Sequence, residues 1–201
     1  MKNILLAFLI GLSITGLFMQ YSNKVQNDIA NNILRLHIVA NSDDPADQAL
    51  KLKVRDRIIS YLSDKVTDCN LNQTKELIAQ NLEGIKTQAE AVILENGYSY
   101  PIIAQMGTFA FPTKHYDNFS LPRGNYEALR VAIGSGKGQN WWCVLYPNLC
   151  FVDGVVAMPQ NSQKKLIGVL TEDEISLISD THSFPVTIKF KLVELFSNLH
   201  I

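Results

Sequence analysis

Few side chains in this 201-residue chain have the type and spacing that chemistry requires. Gly134, Gly136 and Gly138 come closest to a phosphate cradle. A dinucleotide turn needs G-x-G-x-x-G, and Gln139 stands where the third glycine belongs. The run reads instead as a flexible hairpin loop between two strands. His37, His115, His182 and His200 do not pair with one another or with a cysteine at metal-ligand spacing. Asp43, Asp44 and Asp47 offer three carboxylates, but the glycine and distal glutamate of a calcium loop are missing, and helix capping explains them better. Cys143 could act as a nucleophile beside a histidine. Cys150 argues against that. With residues 141–144 and 149–152 as hairpin strands and 145–148 as the loop, Cys143 lies across from Cys150. The Cα separation would then be about 4.5–5.5 Å, inside the disulfide range. A Cys143–Cys150 bridge is expected, with Cys69 left over. No catalytic, metal or cofactor site is expected.

The elements around these residues follow from periodicity. Residues 33–40, ILRLHIVA, alternate: Leu34, Leu36, Ile38 and Ala40 share one face, and Arg35, His37 and Val39 the other, a half-buried strand. Asp44 and Pro45 then cap and open a helix over 46–66, with Leu50, Val54, Ile58 and Leu62 on its apolar side. After a polar break at 67–73, residues 74–95 read as a second helix, closed by Asn96-Gly97. Strand patterns follow at 102–111, 126–133, 141–146, 151–156 and 186–192. Thr171 and Glu174 open a short helix over 172–179. Residues 195–199 read as a final helical turn. Trp141 and Trp142 are neighbours in a strand, so they must point to opposite faces, leaving one partly exposed. The fold class is α+β: one domain with an N-terminal strand and two helices, then a mostly antiparallel sheet.

Composition sets the compartment and the partner class. Hydrophobic residues make up 47% and the net charge is −1, which argues against disorder and against nonspecific nucleic-acid binding. Residues 4–19 carry no charge and follow Lys2, the layout of a signal peptide or a membrane anchor. Sixteen helical residues cover about 24 Å, slightly short of a roughly 30 Å hydrocarbon core. Both readings stay open, and both place the domain outside the cytoplasm. Residues 1–22 are therefore the signal or anchor, 22–32 a polar linker, and 23–201 the mature part.

Three stretches carry a family resemblance. They are LRLHIVANSDDPADQALKLKVRDRII (34–59), GTFAFPTKHYDNFSLPRG (107–124) and NYEALRVAIGSGKGQNWWCVLYPNLCF (125–151). They resemble the stage II sporulation protein R family of endospore-forming bacteria, and the RLHIVANSD and WWC runs are its specific marks. Asp117, Asn125 and Asn148 depart from the family pattern at loop positions. The resemblance implies an intercellular signal, made in the forespore and exported into the intermembrane space. There it would activate a membrane-embedded aspartic protease through its extracytoplasmic region, so that pro-sigma-E is processed in the mother cell. It implies no enzyme, cofactor, nucleic acid or small-molecule substrate. Contact with a membrane would run through residues 4–19. The residues expected to meet the partner are His37, Asn41, Asp43, Arg55, Glu127, Arg130, Trp141 and Trp142. Each also has a structural reading: Asn41 fixing a turn, Arg55 and Glu127 as an ion pair, the tryptophans as packing. The rival classes are an exported cell-wall hydrolase and a passive septal scaffold. The hydrolase would need Cys143 near His37 or His115, or Glu127 and Asp153 at glycosidase separation.

Overall fold

The computed structural model describes residues 2–116, 119–150, 166 and 168–179. It opens with one helix, α1 (Lys2–Asn31). This helix is long and apolar enough to cross a membrane, by length and composition. The expected linker at 22–32 is instead helical as far as Asn31. No glycine or proline interrupts residues 17–30, and Ile29 and Ala30 at the helix end are buried in the domain. Burial of that last turn holds it helical.

Strand β1 (Leu34–Val39) follows, and all six of its residues are buried. The half-buried strand expected from alternation is corrected here. β1 lies inside the sheet and is covered on both sides, so Arg35 and His37 are buried with the aliphatic residues.

Asp44 caps α2 (Pro45–Val66) by accepting from Ala46 N at 3.0 Å, with Pro45 in the first turn. The single helix expected over 74–95 is two, α3 (Leu71–Gln80) and α4 (Leu82–Glu95). Asn81 divides them. Its Nδ2 donates to the Leu77 carbonyl at 2.8 Å and its Oδ1 accepts from Tyr61 Oη at 3.2 Å. A side chain that bonds its own backbone in this way favours helix ends over interiors. The early start of α3 has a local cause too, a reciprocal capping box between Asn70 and Gln73. Gly97, at φ 79°, closes α4: Tyr98 N bonds the Ile93 carbonyl and Gly97 N the Leu94 carbonyl.

The remaining strands are β2 (Ile102–Phe111), β3 (Lys114–Tyr116), β4 (Phe119–Leu121), β5 (Gly124–Ile133) and β6 (Asn140–Tyr146). A short helix, α5 (Glu172–Ile178), carries the Thr171–Glu174 capping box. The main sheet runs β2-β5-β1-β6, and β3 and β4 form a separate ribbon. β1 is parallel to β5; the β1–β6 and β2–β5 pairings are antiparallel. One sheet face packs Leu36, Ile38, Leu129 and Val131 against Leu50, Val54 and Ile58 of α2 and Ile85 and Ala89 of α4. The described residues cover the other face only in part. The end of α1, with β4 and α5, closes over its lower portion through Ile29, Phe119, Val144 and Ile178.

The expected hairpin at Gly134–Gly138 is a crossover. β5 and β6 do not pair with each other, since β1 lies between them. The connection therefore passes over the end of β1 and is tied to the turn that follows it. Ser135 N donates to Asn41 Oδ1 at 2.9 Å, and Gly138 N to the Ala40 carbonyl at 2.9 Å. A Cβ on Gly138 would collide with the Ser42 carbonyl oxygen.

Cys143 and Cys150 are disulfide-bonded, with Cα atoms 5.7 Å apart. The local geometry differs from the expected hairpin. Leu145 and Tyr146 remain in β6, and Leu149 N and Cys150 N both point at the Val144 carbonyl, a tight turn. The strands expected at 151–156 and 186–192, and the turn at 195–199, lie outside the described residues.

Two measurements check this packing. Gly138→Ala forces apart two backbone segments that have little room to move, and should lower unfolding free energy by about 1–3 kcal/mol in urea titration. Reducing the bridge should lower it by about 2–2.5 kcal/mol, the loop-entropy value for so short a ring. A reduced domain with unchanged stability would show that the bridge constrains nothing.

Candidate functional site

Cross-strand partners share a sheet face, so the register assembles the site. Trp142 on β6, His37 on β1, Arg130 on β5 and Gln105 on β2 form one row across the sheet. They lie on the face away from α2, α3 and α4. The imidazole of His37 stacks on Trp142 with centroids 3.8 Å apart. Its Nε2 donates to Asn140 Oδ1 at 2.6 Å, and its Nδ1 is buried without a partner among the described residues. Burial pushes the His37 pKa down; the bond to Asn140 opposes this, and the charges of Arg130 and Arg35 add to it.

Beneath this row lies Arg35, fully buried. Nη2 donates to Tyr116 Oη at 2.6 Å, while Nε and Nη1 have no hydrogen-bond partner among the described residues. Aromatic faces take the place of a carboxylate. The guanidinium carbon is 4.4 Å from the Phe111 ring centroid and 5.0 Å from that of Tyr126. Cation–π contacts of this kind are worth about 2 kcal/mol or more when desolvated. Phe111 also meets Trp142 at 4.5 Å, so Arg35, Phe111, Trp142 and His37 are one continuous packed group. Burial lowers the Arg35 pKa, opposed by Tyr116 and Tyr126; burial raises that of Tyr126 to about 12.

The eight residues expected to meet a partner fall into three places. His37, Arg130 and Trp142 stand together on the open face. Arg55, Trp141 and Glu127 lie on the helix side. The expected Arg55–Glu127 ion pair is replaced by two others: Arg55 with Asp56 at 2.6 Å, and Glu127 with Lys75 at 2.6 Å. Arg55 also covers the Trp141 ring at 4.3 Å. Asn41 and Asp43 belong to the turn after β1. Asn41 is occupied internally: Nδ2 donates to Asp47 Oδ2 at 2.8 Å while Oδ1 holds Ser135 N. Asp43 is exposed. Asp47, grouped above with the helix-capping carboxylates, is buried and accepts from Ser42 Oγ at 2.6 Å. Hydrogen bonds from Ser42, then Asn41 and Tyr100, hold its carboxyl below the ordinary value against the effect of burial.

Sequence reasoning missed Arg35, Phe111, Gln105 and Asn140 as neighbours of His37. The alternation of ILRLHIVA did put Arg35 and His37 on one face, which was the available signal; the strand order that brings Asn140 and Phe111 to them was not.

The pairings required of a hydrolase take other forms here. Cys143 is bonded to Cys150 on the helix side, while His37 faces the opposite way. Glu127 is committed to Lys75, and Asp153 lies outside the described residues. Among the described residues no group of three or more His, Cys, Asp or Glu side chains stands close enough to hold a metal ion.

Residues 30–156 match the family described as Stage II sporulation protein R (spore_II_R). Over 126 residues the chain is 38% identical to "Stage II sporulation protein R" of Bacillus subtilis (strain 168). That alignment covers 62% of this chain and 56% of the relative, so the chain matches a little over half of the relative's length. No solved structure matches. The matched range begins at Ala30, takes in the whole main sheet, and includes every residue of the open face described above.

The lowered pKa of His37 has a stability consequence. The unfolded chain takes up the proton near pH 6.5, where the folded state resists it, so the unfolded state binds more protons below that point. Stability should therefore fall as pH drops below about 6.5, and level off only below the folded pKa. His37→Gln should flatten this part of the profile in denaturant titrations across that range. A profile identical to that of the parent would show that His37 titrates freely.

Proposed function

The chain belongs to the stage II sporulation protein R family, and from that membership we propose that it is an exported protein ligand of sporulation. In this reading it leaves the forespore by way of residues 4–19. In the space between the forespore and mother-cell membranes it switches on a membrane-embedded aspartic protease, and pro-sigma-E is processed as a result. The chain itself makes and breaks no bond. One observation carries the reading: within the family's matched region the sheet presents half-buried Trp142, backed by the buried His37 ring stacked on it, beside half-buried Arg130, on a face that the described residues cover only in part. Aromatic and arginine side chains held in place by packing are the usual anchors of protein interfaces. The crossing-length helix α1, which runs directly into the domain, supports export or anchoring.

A ligand shifts a receptor between two states only by binding one better than the other. Turning a mostly inactive protease mostly active takes about 5.5 kcal/mol of differential affinity. A few anchors worth about 2 kcal/mol each are enough for that. Trp142 suits the role. Trp141 does not, because it lies beneath Arg55 on the helix side and packs against the core there.

Reconstitution in liposomes of the purified chain, the protease and pro-sigma-E tests the reading. Addition of the chain should start processing. Trp142→Ala should lower activation about tenfold or more when equal amounts of folded protein are compared, beyond whatever stability the lost packing costs. Trp141→Ala should lower stability and leave the activation of folded protein nearly intact. A passive scaffold would start no processing. Two folded tryptophan variants with full activity would remove the aromatic anchor.

A further inference from the structure

Among the described residues the outer strand β2 has none of the features that protect a sheet edge. It is ten residues long, IIAQMGTFAF, and carries no charge and no proline between Pro101 and Pro112. It stands at one end of the order β2-β5-β1-β6, and among the described residues nothing pairs with its outer side. In an antiparallel ladder about half of its N–H and C=O groups therefore point outward. Soluble domains commonly blunt such an edge with lysine, proline, a bulge or a short strand. Here the ten-residue ladder to β5 runs from Ile102 to Phe111 without a break, and Ile103 is 55% exposed.

The charge beside this edge is one-sided. Arg130 is the register partner of Gln105, and its guanidinium carbon lies 5.8 Å from the Phe109 ring centroid, so the charge sits over β2. Among the described residues no carboxylate forms an ion pair with Arg130. The four sheet strands contain one acid, Glu127, which faces the helices and is held by Lys75. Arg35, two residues from His37 on β1, makes the same face more positive. A carboxylate is the missing complement. A second copy of β2 could not supply one, because β2 contains none.

We propose that β2 is a strand-addition edge: an extended, largely apolar segment of the protease's extracytoplasmic region joins the sheet beside it and places a carboxylate against Arg130. The proposal rests on the protein-ligand reading above. Main-chain bonds along β2 supply affinity, and the Arg130 contact selects which segment binds and in which register. Ile103, with Phe109 on the same face, gives the added strand an apolar surface to cover.

Hydrogen–deuterium exchange on the full chain, with and without the co-reconstituted protease, tests this, using protease-dependent processing as a second readout. Amides in 102–111 should gain protection when the protease is present. Ile103→Lys and Ala110→Lys, both at exposed positions, should each lower activation about tenfold without a change in melting temperature. Arg130→Glu should do the same. Unchanged exchange in β2, together with full activity of both lysine variants, would overturn the strand-addition proposal and leave protease activation standing. A parent chain that starts no processing would overturn both. Protection of β2 that depends on chain concentration and not on the protease would assign the edge to a second copy, and would overturn the partner strand.

Discussion

Strand β1 must be buried on both faces, and most of what is distinctive in the domain follows from that constraint. Its position between β5 and β6 leaves no side open to water, yet it carries a guanidinium and an imidazole. A buried charge is tolerated only where other groups replace its hydration. For Arg35 those groups are the hydroxyl of Tyr116 and the rings of Phe111 and Tyr126. The rings that solvate Arg35 also bring Phe111 against Trp142, and Trp142 against His37. The open patch is thus the outer layer of a group whose inner layer satisfies a buried cation. Among the described residues, nitrogens of Arg35 and His37 without a partner leave that satisfaction incomplete. Incomplete pairing of this kind is seldom kept for stability alone, since an apolar residue of similar size is often at least as stable in such a place.

Local chemistry was legible in the sequence wherever a single residue type had one good conformational use. Asp44-Pro45 marked a helix start, Asn96-Gly97 a helix end, and Thr171 with Glu174 a capping box. Asn81 was not legible. Its neighbours continue an apolar periodicity, and only the position of Tyr61 shows that its amide ends one helix and begins the next. Residues 22–32 read as a linker because they are polar, and only the burial of Ile29 and Ala30 shows why the chain stays helical as far as Asn31.

The site was legible in its members and not in their grouping. Alternation places His37 and Arg35 together, and separates Trp141 from Trp142 onto opposite faces. Which strand lies beside which is a tertiary fact. The crossover at 134–139 put β1 between β5 and β6, and so turned a supposed hairpin loop into the clasp that fixes Asn41. Asn41 itself is structural for that reason: its amide is divided between Asp47 and Ser135 and has little left to offer a partner.

The unbroken course of α1 has a mechanical consequence. From Met19, at the end of the apolar run, to Ile29, seated in the domain, the chain rises about 15 Å as continuous helix. A disordered tether of that length would let the domain tumble and present its sheet in any direction. A stiff stalk does not. With its apolar end seated in a lipid layer, it would set the height of the sheet and limit the directions from which another molecule could reach it. Severing the stalk would exchange that orientational control for free diffusion, so whether the stalk is cut determines whether encounter is governed by geometry or by concentration.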